Sequence, residues 1–364
     1  MPIQTDAVIV GAGPVGLFQA FQLGLQDIRC HIVDALPHVG GQCVELYGDK
    51  PIYDIPAIAL CTGRELIDKL QQQIKPFAPS LHLNQEVVSV ERLPSGEFDV
   101  RTSTAQRFVC KTLFIAAGVG AFQARKLALE GAAPLEGRHL HYRLGDLTTY
   151  AQQDVWVIGG EESALHTALQ LLQPSENAPR SVTLMHRRDV FQAAPEIQHA
   201  MREAVAKGRL QLQIGQLTAL HTSAGPAAQA HAQSASTNSG PPSEAALQSI
   251  SIATPAGDIL ERPAQQLIAC LGLSPKLGPI TQWGLAMERK QLVVNTETFA
   301  TDVPGIFAVG DINTYPGKKK LILCGFHEAT LAAFGAAAIV HPSRKTLLQY
   351  TTTSTELHRL LGVA

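Results

Sequence analysis

A chain of 364 residues, 45% of them hydrophobic, is long enough for two ordinary domains with proper cores. Its formal net charge of −2 supplies no strong field for nucleic acid or an anionic membrane surface, so neither is expected as a partner. The six cysteines, at 30, 43, 61, 110, 270 and 324, form no C-x-x-C pair and no metal-ligand spacing; no metal is expected, and they read as reduced, mostly buried thiols of a cytoplasmic protein.

The first element is the short apolar run Ala7 to Val10, read as a buried strand. Gly11, Gly13 and Gly16 follow at G-x-G-x-x-G spacing, with Pro14 inside the motif, before a helical pattern over Leu17 to Leu25. Gly11 serves the tight turn, Gly13 leaves room for a pyrophosphate, and Gly16 lets the helix pack on the strand while its N-terminus faces the phosphates. Asp34 closes a second apolar strand, Cys30 to Val33, where a carboxylate accepts hydrogen bonds from ribose hydroxyls. Together these features point to a bound adenine dinucleotide. The first strand starts almost at once and no apolar run approaches membrane-spanning length, so neither a leader nor a membrane partner is expected.

A long loop punctuated by glycine and proline follows Asp34, and loops of that length inside a domain are usually functional. Gly63 to Ile74 reads as an amphipathic helix. Leu81 to Val90, Phe98 to Thr102 and Arg107 to Lys111 read as antiparallel strands, and Thr112 to Ala117 as a further strand. The order suits a doubly wound α/β domain.

A second unit repeats the plan. Asp154 to Ile158 is a strand, Gly159, Gly160 and Ser163 belong to the next turn, and Ala164 to Leu172 is a helix. The strand Val182 to Met185 ends in His186, Arg187 and Arg188 instead of an acid. An acid suits a free 2′-hydroxyl, whereas arginines grip a 2′-phosphate through paired, charge-assisted hydrogen bonds. The first site therefore reads as FAD and the second as NADP(H). Residues 222–244 are small, polar and aperiodic, and read as a flexible surface insertion. Gly305 to Asp311 returns to the character of the first unit. The expected architecture is two Rossmann-like domains, the second inserted into the first: 1–118 with 281–364 for FAD, and 119–280 for NADP.

The motif Gly11 to Gly16, Asp34, Gly40 to Gln42, His186 to Asp189 and Ile306 to Asp311 together resemble the two-dinucleotide flavoprotein reductases of the thioredoxin reductase group. Glu45 to Ala57 and Gly317 to Ala329 resemble more closely the ferredoxin–NADP reductases of the thioredoxin-reductase-like type. The resemblance implies a homodimer in which flavin takes hydride from NADPH and passes single electrons to ferredoxin or flavodoxin. It also implies residue roles. Asp34, Gly41 and Gln42 would meet the FAD pyrophosphate and ribose, and the Val87 backbone the adenine. Tyr47 would stack on one flavin face and Phe122 line the site. Asp311 would hold the ribityl chain, with Tyr350 over the other face and Thr352 beside it. Thioredoxin reductases carry a C-x-x-C that this sequence lacks, which favours a one-electron acceptor over a disulfide. One departure stands out: Glu161 occupies the second motif where a side-chain-free residue lets pyrophosphate approach. It leaves open two alternatives, a flavin reductase with another acceptor such as a thiol protein or quinone, and a flavin-binding module with an impaired NADP site. Cys43 reads as a small buried hydrophobe, and Lys318 to Lys320 as a solvated charge run with a docking patch as the alternative.

Overall fold

The apolar run that opens the chain becomes the middle of a parallel sheet, because a strand covered on both faces must be apolar throughout. In the computed structural model, which describes residues 1–223, 246–344 and 350–363, Ile3–Val10 pairs in parallel with Cys30–Val33 on one side and Arg107–Ile115 on the other. Ala7, Val8 and Ile9 are fully buried. Ser80–His82 extends the sheet beyond Cys30–Val33. Phe98–Thr102 and then Val87–Arg92 continue it antiparallel beyond Arg107–Ile115. The far end of Arg107–Ile115 also takes Ile306–Ala308 as a parallel neighbour, and Phe114 and Phe307 stack there with centroids 5.0 Å apart. By contacts the chain divides into two units, 1–122 with 275–364, and 123–274.

Two expected elements differ. Arg107 to Lys111 and Thr112 to Ala117 are one strand, Arg107–Ile115, antiparallel to one neighbour and parallel to two. Leu81 to Val90 is not one strand but two, broken where Asn84 takes a left-handed φ of 57°, a conformation that asparagine tolerates better than most residues. The break lets Asn84 N–H donate to Leu36 O at 2.8 Å and Gln85 N–H to Asp34 O at 3.0 Å.

The helix Gly63–Ile74 begins with a reciprocal cap: Thr62 Oγ1 accepts from Glu65 N–H while Glu65 Oε2 accepts from Thr62 N–H. The helix Ile322–Val340 is long and apolar enough by length and composition to cross a membrane, contrary to the expectation that no run reaches that length. It is a packed element of the first unit. It lies on the helix Pro14–Leu25, with Phe326 4.7 Å from Phe18 by ring centroids, and it carries the fully buried Glu328.

In the second unit five parallel strands run in the order Leu140–His141, Gln266–Ala269, Asp154–Ile158, Ser181–His186 and Gln211–Ile214. Gln216–Thr222, Leu247–Ala253 and Ile259–Pro263 form an antiparallel sheet. The expected insertion, 222–244, falls almost wholly on 224–245, outside the described residues.

His31 and His82 face each other across neighbouring strands of the first sheet, Nδ1 to Nε2 at 2.9 Å, beside Phe108. Burial pushes both imidazoles below their ordinary pKa of 6.5, so the folded protein holds them neutral where an unfolded chain takes up protons. The stability this contributes is complete above about 6.5 and is lost as pH falls through the lowered folded values. The thermal midpoint of wild type should therefore drop on acidification from about pH 7 to about pH 5. The same scan on His82→Gln should give a shallower slope.

Candidate functional site

In an open parallel sheet a ligand binds beyond the carboxyl ends of the strands where the winding direction reverses. In the first unit that point lies between Ile3–Val10 and Arg107–Ile115, because Cys30–Val33 and Ser80–His82 build out on one side and the remaining strands on the other. A cleft opens there, in the position where such a sheet takes a cofactor.

The turn after Ile3–Val10 forms one wall. A methyl on Gly11, at φ +112°, would lie 2.5 Å from Ala116 O, and one on Gly16 would lie 1.9 Å from Gly11 O. Both glycines are therefore packing requirements. Gly13 differs: a methyl there would meet nothing within 4 Å, so it borders open space. Gly13 is also the N-cap of Pro14–Leu25, where no side chain bonds the free backbone donors. An uncapped helix start beside open space accepts phosphate.

Asp34 holds this wall together. Its Oδ2 accepts from Ala12 N–H at 2.6 Å and its Oδ1 from Leu36 N–H at 2.8 Å. Burial raises its pKa and the two N–H donors oppose that shift. Each oxygen keeps lone-pair capacity toward the cleft it lines. On the opposite side Gln42 Nε2 donates to Asp311 Oδ2 at 3.3 Å, which joins residues 269 positions apart at the cleft. Tyr47 is half-buried in the lining, its hydroxyl 3.5 Å from Cys43 Sγ. Burial raises the pKa of both groups. Cys43 is buried, and all six cysteines are free thiols.

Of the first-site candidates, Gly11, Gly13, Pro14, Asp34, Gly41, Gln42, Tyr47, Val87 and Asp311 line one cleft, and Gly16 supports it from behind. Phe122 lies on the strand Ala121–Ala124, but its side chain lies outside the described residues. Tyr350 and Thr352 do not join the cleft within this chain: both are exposed and neither is in its lining. The helix that follows them, Thr355–Leu361, packs on Pro14–Leu25 and on the turn Lys75–Phe77. Phe77 meets Gly24, at the far end of Pro14–Leu25, so a 12-residue helix, roughly 18 Å long, separates the tail's anchor from the cleft. Sequence reasoning missed Gln85, Glu86, Lys276, Leu277 and Lys320 in the lining; Asn84 at the strand break was the available signal for the first two. Lys318 is no part of a solvated run. Its side chain is 7% exposed and paired with Glu328.

The second unit has the same strand–turn–helix form with different fittings. A methyl on Gly159 would lie 2.4 Å from Cys270 O, and one on Gly160 2.4 Å from the His186 ring. His186 thus covers Gly160, and burial, then Arg187 and Arg188, lower its pKa. Arg187 and Arg188 are exposed, and among the described residues no acid pairs with them. Glu161 is the N-cap of Glu162–Leu171, with ordinary extended backbone at φ −96° and no capping bond from its side chain. Its carboxylate reaches toward Gly272, 3.6 Å from where a methyl on that residue would stand. Ser163 sits in the first turn of that helix.

The sequence profile of the pyridine nucleotide-disulphide oxidoreductases matches residues 5–330. A ferredoxin–NADP reductase of Methylibium petroleiphilum is 51% identical over 364 residues, covering 100% of this chain and 93% of its own. One of Albidiferax ferrireducens is 51% identical over 362 residues, covering 100% of this chain and 97% of its own. Among solved structures, thioredoxin reductase of Lactococcus lactis aligns with TM-score 0.57 at 23% identity, covering 92% of this chain and 99% of its own. Bacillithiol disulfide reductase of Staphylococcus aureus aligns with TM-score 0.59 at 17% identity, with the same coverage. At these identities the structural likeness is one of fold.

The contrast between Gly13 and Gly16 is directly testable. Gly16→Ala should destabilise the protein by about 1–3 kcal/mol in denaturant titration, since the methyl collides with backbone. Gly13→Ala should leave the stability of the ligand-free protein within about 0.5 kcal/mol while weakening dinucleotide retention about tenfold or more by equilibrium dialysis.

Proposed function

This chain belongs to the pyridine nucleotide-disulphide oxidoreductase family, and we propose that within it the chain carries electrons between NADPH and a ferredoxin or flavodoxin, with FAD as the resident cofactor. It is an FAD- and NADP(H)-dependent oxidoreductase with two Rossmann-like parts. The observation that carries the assignment of sites is the first-unit cleft, where an open glycine, an uncapped helix start and a braced carboxylate converge. Those residues suit FAD: the Gly13 cradle and the helix N-terminus the pyrophosphate, with Gly41 and Gln42 beside it, Asp34 the ribose hydroxyls, Val87 the adenine and Asp311 the ribityl chain. Tyr47, which lines the cleft, would stack on one flavin face and limit its exposure on that side. When bound, FAD accepts a hydride and can release the electrons singly. In the second unit Arg187 and Arg188 suit the 2′-phosphate, with Gly159, Gly160, Ser163 and His186 around the turn. No side chain here needs to act as a covalent catalyst, since hydride transfer depends on alignment. The six free thiols suit a reducing cytoplasm, and a homodimer follows the family resemblance.

Anaerobic titration of the purified protein, followed by oxidised-flavin absorbance, tests this reading. NADPH should bleach the flavin rapidly and NADH more slowly, and added ferredoxin should restore the colour. Failure of both nucleotides to bleach a flavin-bearing protein would overturn it.

One observation favours a second reading, an impaired nucleotide site: Glu161 sets a carboxylate at a helix start where a phosphate would sit. Glu161→Gly should tighten NADPH binding about tenfold or more if the charge opposes phosphate. An unchanged dissociation constant would show that its carboxylate is no obstacle.

A further inference from the structure

Glu328 is fully buried on the helix Ile322–Val340, and its carboxylate is saturated. Oε2 accepts from Gly310 N–H at 2.7 Å and from Asn313 Nδ2 at 2.8 Å, and Oε1 accepts from Tyr315 Oη at 2.9 Å and from the Lys318 ammonium. Lys318 Nζ in turn donates to Gly310 O at 2.9 Å. The acid and the amine therefore hold the two ends of the same residue, one its N–H and the other its carbonyl. That residue and its successor, Asp311, line the cleft. Gly310 stands at φ +80°, where a side chain is strained, and a methyl on it would press on Val15 at 3.3 Å. The pair thus lies one residue behind the cleft wall, in a medium that screens charge poorly.

We infer that the Glu328–Lys318 pair is a positioning device that fixes the Gly310–Asp311 turn at the cleft and, through its mutual neutrality, sets the reduction potential of the flavin held there. The inference rests on FAD occupying this cleft. Reduction adds electrons to the bound group, so an uncompensated cation nearby favours the reduced form and an uncompensated anion disfavours it. In Glu328→Gln, Lys318 keeps the Gly310 carbonyl and the Tyr315 ring, 5.3 Å from its ammonium, while its counter-charge is removed. In Lys318→Gln, Glu328 keeps three of its four donors while its counter-charge is removed. The two single substitutions therefore push the potential in opposite directions, and the double substitution cancels them. A merely structural role would loosen FAD in every variant without an opposed shift.

The test is a reductive titration of the flavin-bearing wild type, Glu328→Gln, Lys318→Gln and the double variant against a reference dye, without pyridine nucleotide or ferredoxin. The expected result is a more positive flavin potential in Glu328→Gln, a more negative one in Lys318→Gln, and a value close to wild type in the double variant. If the singles shed flavin because a buried charge is left unpaired, the double should still retain it at the wild-type potential. Unshifted or same-direction potentials in the singles, or loss of flavin from all three variants, would overturn the inference. Wild type that neither purifies with FAD nor takes it up would overturn instead the assignment of the cleft.

Discussion

The first unit depends on how closely three backbones approach one another beside Val15. A methyl on Gly325 would come within 2.4 Å of Val15 Cγ2, and one on Gly310 within 3.3 Å. Only because both positions are glycine can the helix Ile322–Val340 and the turn at Gly310 close on the start of Pro14–Leu25. That corner joins the two ends of the chain and sets one wall of the cleft against the other, with Gln42 and Asp311 meeting across it. Packing fixes the approach, and the buried polar bonds around Glu328 fix the orientation of the peptide that results. An apolar contact alone leaves a loop free to rotate, whereas a donor and an acceptor pinned on the same residue do not.

Much of this was legible in the sequence, for a local reason. The fingerprint, Asp34 at the end of its strand, and the helix Gly63–Ile74 each express themselves within a dozen residues, through glycine spacing, strand termination or amphipathic period. Asp34 was read as a ribose ligand, and the structure adds that it is first a brace for the Ala12 and Leu36 amides. The strand Leu81 to Val90 was misread because its apolar residues flank the polar run Asn84, Gln85 and Glu86, where the backbone breaks. One asparagine at positive φ turns the chain so that Gln85, Glu86 and Val87 face the cleft.

What was illegible is long-range or contradicts local composition. Lys318 looks like its neighbours Lys319 and Lys320, both exposed, and nothing in a triplet of lysines tells which one turns inward. Its partner lies ten positions on, in a helix apolar enough to pass for a membrane span. A lone acid in such a helix is costly to bury unless its bonds are complete, and here four donors complete them. Tyr350 and Thr352 were placed by resemblance and not by any force visible in their own segment. The tail that carries them is anchored by Thr355–Leu361 at the opposite end of Pro14–Leu25.

The two nucleotide motifs differ in preparation as well as in charge. In the first, the acid is already bound by two amides, the glycine cradle is open, and the facing glutamine and aspartate are bonded to each other. Little conformational freedom remains for a ligand to remove. In the second, Arg187 and Arg188 are exposed and without acidic partners among the described residues, so a ligand must order them, at roughly 0.5–1.5 kcal/mol for each rotamer-rich side chain immobilised. Glu161 stands at the same helix start with no capping bond from its side chain. A prepared site favours slow release, and an unprepared one favours exchange. On the proposed reading the first holds a cofactor that stays through many turnovers, while the second handles a nucleotide that must leave after each one. The difference in side-chain order between the two turns is thus the physical counterpart of the difference between a resident group and a substrate.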